Sequence, residues 1–315
     1  MTRILLAGAT GAVGQHLLPK LIDAGHEVVA LTRTPSKAAA LRAAGALAVV
    51  ADALDREAIH GAVLGAEPEV VVHQMTALAG PTDLKHFDRT FAQTNALRTA
   101  GTRHLLDAAR AAGTRRFIAQ SFTGWPFART GGPVKDEDAP LDPAPPRAQQ
   151  ESLAAIRELE ALVTGADAGV EGVVLRYGGF YGPGTSLSAD GEVTELVRRR
   201  RLPVVGDGRG LSSFTHIDDA AGGVLATLAP GGPEGVFAIV DDEPAPAAEW
   251  IPALAAAVGA PPPRHVPRWV GRLAAGEVGV TMMTASRGAS NERAAQVLGW
   301  TPRWPSWREG FRQAL

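Results

Sequence analysis

The chain has 315 residues, 45% of them hydrophobic, a net charge of −2 and no cysteine. That length and apolar content suffice for one large domain or two smaller ones. The near-neutral balance gives no electrostatic case for nucleic acid or an anionic membrane as partner. The lack of cysteine excludes disulfides, thiolate nucleophiles and thiolate-bound zinc. No apolar run approaches the ~18 residues of a membrane span, and the N-terminus lacks a signal-peptide pattern, so the chain reads as soluble and cytoplasmic.

In chain order, short β-type runs fall at 3–8, 27–32, 46–51, 69–74, 116–121 and 171–176. Helical spacing fills the gaps at 12–25, 35–44, 55–65, 84–112 and 149–164. Strands alternating with helices imply βαβ units and a parallel sheet covered on both faces. The apolar face of 84–112 fits either the core or a second copy of the chain. Beyond residue 177 the texture changes to Gly/Pro-rich loops between short elements, and five of the six tryptophans lie there. The expected fold is therefore α/β, a Rossmann-type doubly wound parallel sheet with a smaller C-terminal substrate lobe. Residues 1–177 form the dinucleotide-binding domain, to which 214–240 return, and 178–213 with 241–315 form the lobe.

The first strand runs into GATGAVG at 8–14 and then a helix. Gly8 permits a tight turn, Gly11 lets backbone approach a pyrophosphate, and Gly14 lets the helix pack on the strand. Free N–H groups at the helix start, around Thr10, Ala12 and Val13, suit phosphate. After the second strand, where an NAD-selective site places an acid for the ribose 2′-hydroxyl, the chain has Thr32 and Arg33, with Lys37 nearby. A guanidinium pairs with a 2′-phosphate that a carboxylate would repel, so NADP(H) is favoured over NAD(H). Asp52 is placed to accept from an adenine amino group with Ala53 flanking the ring, although Asp52 or Asp55 could equally cap the next helix. No His/Asp/Glu spacing points to a metal.

With these features the chain resembles the extended short-chain dehydrogenase/reductase family, the epimerase/dehydratase group. The resemblance runs through 8–14, 70–78, 94–110, 175–184, 214–221, 237–244 and 290–311. It implies a cofactor cleft at the carboxyl edge of the sheet. His73, Gln74 and Met75 would line the cofactor's ribose side, although His73 also fits a buried, hydrogen-bonded structural role. Asn95 would order the loop after the fourth strand, and the loop from Tyr177 through Gly178 and Gly179 to Gly184 would lie by the nicotinamide.

One part of the family pattern is missing. Its chemistry rests on a Tyr and a Lys four residues apart on one helix face, with a Ser or Thr orienting the substrate. Register on Glu160 puts Ser152 at the Tyr position and Ile156 at the Lys position. Only Tyr177 and Tyr181 are tyrosines, and no lysine follows Lys135. Phe122 falls at the orienting position, between Ser121 and Thr123. Thr123, Tyr177 and Tyr181 are left as catalytic candidates, and Ser121 as a cofactor-side residue. A phenol with an ordinary pKa of about 10 needs a cationic neighbour to act as a base near neutrality. Ser212 stands where nucleotide-sugar members place a diphosphate-binding Arg, which argues for a different small-molecule substrate. Three readings follow: an NADP(H) oxidoreductase or epimerase with a non-standard acid/base, a non-redox isomerase, lyase or cyclase that uses the cofactor structurally, or an NADP(H) sensor that binds a partner protein.

Overall fold

The computed structural model describes residues 1–78 and 82–314. Seven parallel strands form the central sheet: β1 (Arg3–Ala7), β2 (Glu27–Thr32), β3 (Leu47–Val50), β4 (Val70–His73), β5 (Arg116–Phe122), β6 (Glu171–Tyr177) and β7 (Gly235–Ile239). Their order is β7-β6-β5-β4-β1-β2-β3. The chain first winds outward from β1 to β3, then returns to β4 on the other side of β1. A cleft therefore opens at the carboxyl ends of β1 and β4, where this topology places ligands.

Alternation along each strand builds two cores. Ile4, Leu6, Val28, Ala30, Val70, Val72 and Ile118 face the helices Ala12–Asp23 and Ile217–Ala226. Leu5, Ala7, Val29, Leu31, Val71, Phe117 and Ala119 face Arg56–Ala66, Thr102–Ala111 and Gln150–Thr164. Both faces of a covered parallel sheet are apolar, which is why these strands read as near-continuous runs of Val, Ile, Leu and Ala.

The expected helix at 84–112 is broken. It comprises a 3₁₀ turn (Leu84–His86), the short helices Phe87–Thr90 and Ala92–Ala96, a π-turn (Leu97–Gly101) and the helix Thr102–Ala111. Its apolar residues Leu105, Leu106, Ala108 and Ala109 are spent on the core. Beyond β6, a separate apolar cluster joins Tyr181, Leu187, Val197, Phe214, Leu254, Trp307 and Phe311. Among the described residues no helix is long and apolar enough to cross a membrane.

Candidate functional site

The glycine loop has the geometry of a phosphate cradle. Gly8 has φ +95°, and a Cβ there would lie 2.6 Å from the Gln74 carbonyl oxygen, so only glycine fits between β1 and β4. A Cβ on Gly14 would stand 2.2 Å from the Gly8 carbonyl oxygen. Gly11 is the N-cap of the helix Ala12–Asp23, with no side-chain cap and no acid in the first turn. Its amide donates to the Gly8 carbonyl at 2.9 Å, leaving the first-turn N–H groups beyond it for an anion. Thr10 and Ala12 are half-buried beside the turn. Val13 is buried in the core, so only its backbone can serve a ligand.

Around the cleft the expected residues divide. Arg33 and Lys37 are exposed after β2, and Arg33 makes no hydrogen bond or ion pair among the described residues. Asp55 caps the next helix by accepting from the Ala58 amide at 3.1 Å. Asp52 is exposed and spends one oxygen on the Leu54 amide, while Ala53 is buried. His73 is buried, faces the Thr102 hydroxyl at 3.1 Å and accepts from the Met75 amide at Nδ1. Desolvation pulls its pKa down to about 4, so it is a neutral structural imidazole. Met75 packs on the core.

Asn95 does not order the loop after β4. Its neighbour Thr94 does, accepting from the Ala77 amide at 3.0 Å. Asn95 instead donates to the Ser152 hydroxyl at 3.0 Å. Ser152 in turn donates to Asp88 at 2.6 Å, and the same carboxylate accepts the amides of Glu151 and Ser152. The Ser152 hydroxyl is thus occupied at both ends and fully buried, and Ile156 one turn on is buried in the same way. Ser121 is also engaged away from the cleft, donating to Glu160 at 2.7 Å. Glu160 holds Arg176 through two bonds of 2.8 and 2.7 Å, a buried fork.

Both tyrosine candidates are corrected by burial. Tyr177 ends β6 pointing into the core; it is 0% exposed and its phenol donates to the Ala220 carbonyl at 3.2 Å. The Gln74 amide lies near that phenol without hydrogen-bond geometry. Tyr181, also 0% exposed, packs against Phe214, His216 and Phe311 in the lobe. Desolvation raises both phenols far above their ordinary range. Neither can exchange a proton with a substrate in the cleft. Gly178 and Gly179 are held by Thr215 and the Ser213 carbonyl instead. We expect Tyr177→Phe to cost about 1 kcal/mol through its lost bond, and Tyr181→Phe to cost nothing, since its hydroxyl has no partner. Nucleotide affinity should be unchanged in both, as read by thermal unfolding and fluorescence titration.

Thr123 stays at the cleft with its hydroxyl buried and unpartnered. It has company that sequence reasoning did not select. Both amide atoms of Gln74, Oδ1 of Asn95, Nη1 of Arg98 and Nε2 of Gln149 are likewise buried without partners. Buried polar groups are ordinarily satisfied; Gln74 and Thr123 leave theirs free just beyond β4 and β5, although Tyr181, Thr194, Asp241 and Trp307 do the same in the C-terminal part. Next to it stands an aromatic wall. Phe91 stacks on Phe87 with centroids 4.2 Å apart, Trp125 meets Phe87 edge-on at 5.3 Å, and Phe122 lies 6.3 Å from Trp125. Phe91, Phe122 and Trp125 keep part of their surface exposed.

Several other polar residues are engaged within the protein itself. His216 caps the helix Ile217–Ala226 by accepting from the Asp218 amide. Asp219 accepts the amides of Arg303 and Trp304, and Asp241 that of Trp307, pinning the C-terminal segment. Lys135 donates to the Thr130 carbonyl at 2.6 Å.

The model of the NAD dependent epimerase/dehydratase family matches residues 4–239. A 3-diazoavenalumate denitrifying reductase from a Streptomyces species is 47% identical over 310 residues, 98% of this chain and 99% of its own. A 2-alkyl-3-oxoalkanoate reductase from Stenotrophomonas maltophilia is 31% identical over 271 residues, 82% of this chain and 76% of its own. Among solved structures, a UDP-glucose 4-epimerase from Thermotoga maritima, determined with UDP-glucose, matches with a TM-score of 0.77 over 99% of this chain and 96% of that one. At 22% identity that likeness is one of fold.

Proposed function

The chain belongs to the NAD-dependent epimerase/dehydratase family, and from that premise we propose that it is a reductase that replaces a diazo group on a small aromatic acid with hydrogen. The observation that carries this reading is the helix Gln150–Thr164, which has Ser152 and Ile156 on its buried face and no Tyr or Lys. Carbonyl reduction develops negative charge on oxygen and needs a proton donor there. Thr123 is the one candidate hydroxyl left at the cleft, and an alkyl hydroxyl is a poor acid. A diazonium carbon has no such need. It gains hydride, the C–N bond breaks with its electron pair leaving on dinitrogen, and no proton is consumed. The relative whose name states a diazo substrate and loss of nitrogen covers this chain end to end.

A bound reduced nicotinamide supplies the hydride in this scheme. The chain's own part is placement. Gly8, Gly11 and the first-turn amides would hold the pyrophosphate, with Thr123, just beyond β5, at the reacting end. Phe91, Phe122 and Trp125 offer π-faces to an aryl ring, and a cationic diazonium gains further from their negative quadrupoles. Ser212 is half-buried and Arg209 points into solvent beside Asp207, so neither stands in for the diphosphate-binding Arg of nucleotide-sugar members.

The test is turnover of an arenediazonium carboxylate with NADPH deuterated at the transferable position. One dinitrogen per NADP⁺ formed, faster than the protein-free rate, with deuterium on the carbon that lost nitrogen, is the expected result. Cofactor left unconsumed, or faster turnover of a 3-oxoalkanoate, would sink the reading. We further expect NADPH to bind more tightly than NADH. Arg33→Ala should erase about tenfold of that difference, equivalent to ~1.4 kcal/mol, because the exposed guanidinium pairs with the 2′-phosphate.

A further inference from the structure

Arg98 lies in the π-turn Leu97–Gly101 and is 7% exposed. Among the described residues it makes no hydrogen bond and no ion pair, and its Nη1 is buried without a partner. A buried guanidinium nitrogen with nothing to donate to is costly. Arg116 and Arg176 in this same chain show the usual arrangement. Arg116 donates to Glu171 and to the Thr227 and Gly232 carbonyls, and Arg176 to Glu160.

The surroundings say where the unused donor lies. Asn95, three residues earlier, bonds Ser152 on the helix Gln150–Thr164. Thr102, four residues later, bonds His73 at the end of β4. Arg98 lies in the chain between these two anchored residues, so the π-turn that carries it is pinned both to the helix Gln150–Thr164 and to the end of β4. Its charge is felt by His73 on one side and by Glu160 on the other. Glu160 is the obvious carboxylate for it, yet both Glu160 oxygens are committed to Arg176 and Ser121. Burial pulls the Arg98 guanidinium down to about 10, with Glu160 opposing that, so it stays charged at neutral pH. Asn95, bonded to Ser152 through its amide nitrogen, leaves its Oδ1 unpartnered on the same side.

We propose that Arg98 is a cofactor-positioning residue: its buried guanidinium donates to the sugar hydroxyls of a bound nicotinamide nucleotide and supplies, from the π-turn, the cation that the helix Gln150–Thr164 lacks. This rests on the reading of the cleft as a nicotinamide site, and not on the diazo substrate.

The experiment is direct titration of wild type, Arg98→Met and Arg98→Lys with NADH and NADPH, followed by nicotinamide fluorescence, with thermal unfolding of each nucleotide-free protein. Arg98→Met should unfold at no lower temperature than wild type, because an unpaired buried charge has been removed. Its nucleotide Kd should rise at least tenfold, and Arg98→Lys should recover most of the loss. A Kd in Arg98→Met within twofold of wild type overturns the proposal. So does a lowered unfolding temperature together with equal loss in the Met and Lys variants, which would make Arg98 a packing residue. A wild-type chain that binds neither nucleotide overturns both this inference and the functional reading. Binding that depends on Arg98 without diazo turnover overturns the functional reading alone.

Discussion

Glu160→Ala should lose roughly 3–5 kcal/mol of folding stability, the cost of breaking a buried ion pair from one side. Glu160 accepts two bonds from Arg176 and one from Ser121, and all three residues are buried. Removing the carboxylate leaves the Arg176 fork with only the Glu137 carbonyl, at 3.1 Å, and strands the Ser121 hydroxyl. The cluster ties the helix Gln150–Thr164 to the carboxyl ends of β5 and β6, so the loss should also loosen the cleft. Urea denaturation at neutral pH measures it. The double variant Glu160→Leu/Arg176→Met is the control, because replacing both charges by apolar groups of similar size removes the penalty. It should recover most of the single variant's loss. If Glu160→Ala stays within 1 kcal/mol of wild type, the fork contributes little and the helix is held by its apolar face alone.

That cluster also shows what the sequence can and cannot reveal. Register on Glu160 puts Ser152 and Ile156 at the Tyr and Lys positions, but does not give the burial that the structure shows for both. The six strand runs of the first half were legible because a doubly covered parallel sheet demands apolar residues on both faces, and the glycine loop because its spacing follows from backbone approach. The breaks at 84–112 were hidden. Its apolar spacing is continuous, and a π-turn has no sequence signal beyond an unusual residue, here Arg98, on a face that should be apolar. Tyr177 and Tyr181 misled for a related reason. Each lies one or two residues from a loop that borders the cleft, and a strand's alternation decides which side the ring takes. Asn95 and Thr94 differ by one helical step of about 100°, enough to exchange their roles. Elements are written in periodicity. The direction of a single polar side chain at an element's end is set by its tertiary neighbours, and no local pattern records it.

The largest effect on ligand binding is expected at the glycine loop, and two of its positions should fail in different ways. A Cβ on Gly14 would meet backbone on the inside of the turn, 2.2 Å from the Gly8 carbonyl oxygen and 2.7 Å from Ala9. No flexible side chain is there to yield, so Gly14→Val must push the helix Ala12–Asp23 off β1, lowering the unfolding temperature and abolishing nucleotide binding together. Gly11 is different. It is exposed, and an added Cβ meets only the Gly8 carbonyl oxygen at 3.3 Å, a contact that a small shift relieves. The room lost by Gly11→Val is room outside the protein, above the free N–H groups of the first turn. That variant should keep its unfolding temperature and still lose nucleotide affinity by a factor on the order of 100, or ~2.7 kcal/mol. The contrast isolates space reserved for a ligand from space needed by the fold. If Gly11→Val folds normally and binds NADPH as wild type does, the phosphates do not sit on this turn, and the nucleotide site must be sought elsewhere along the sheet edge.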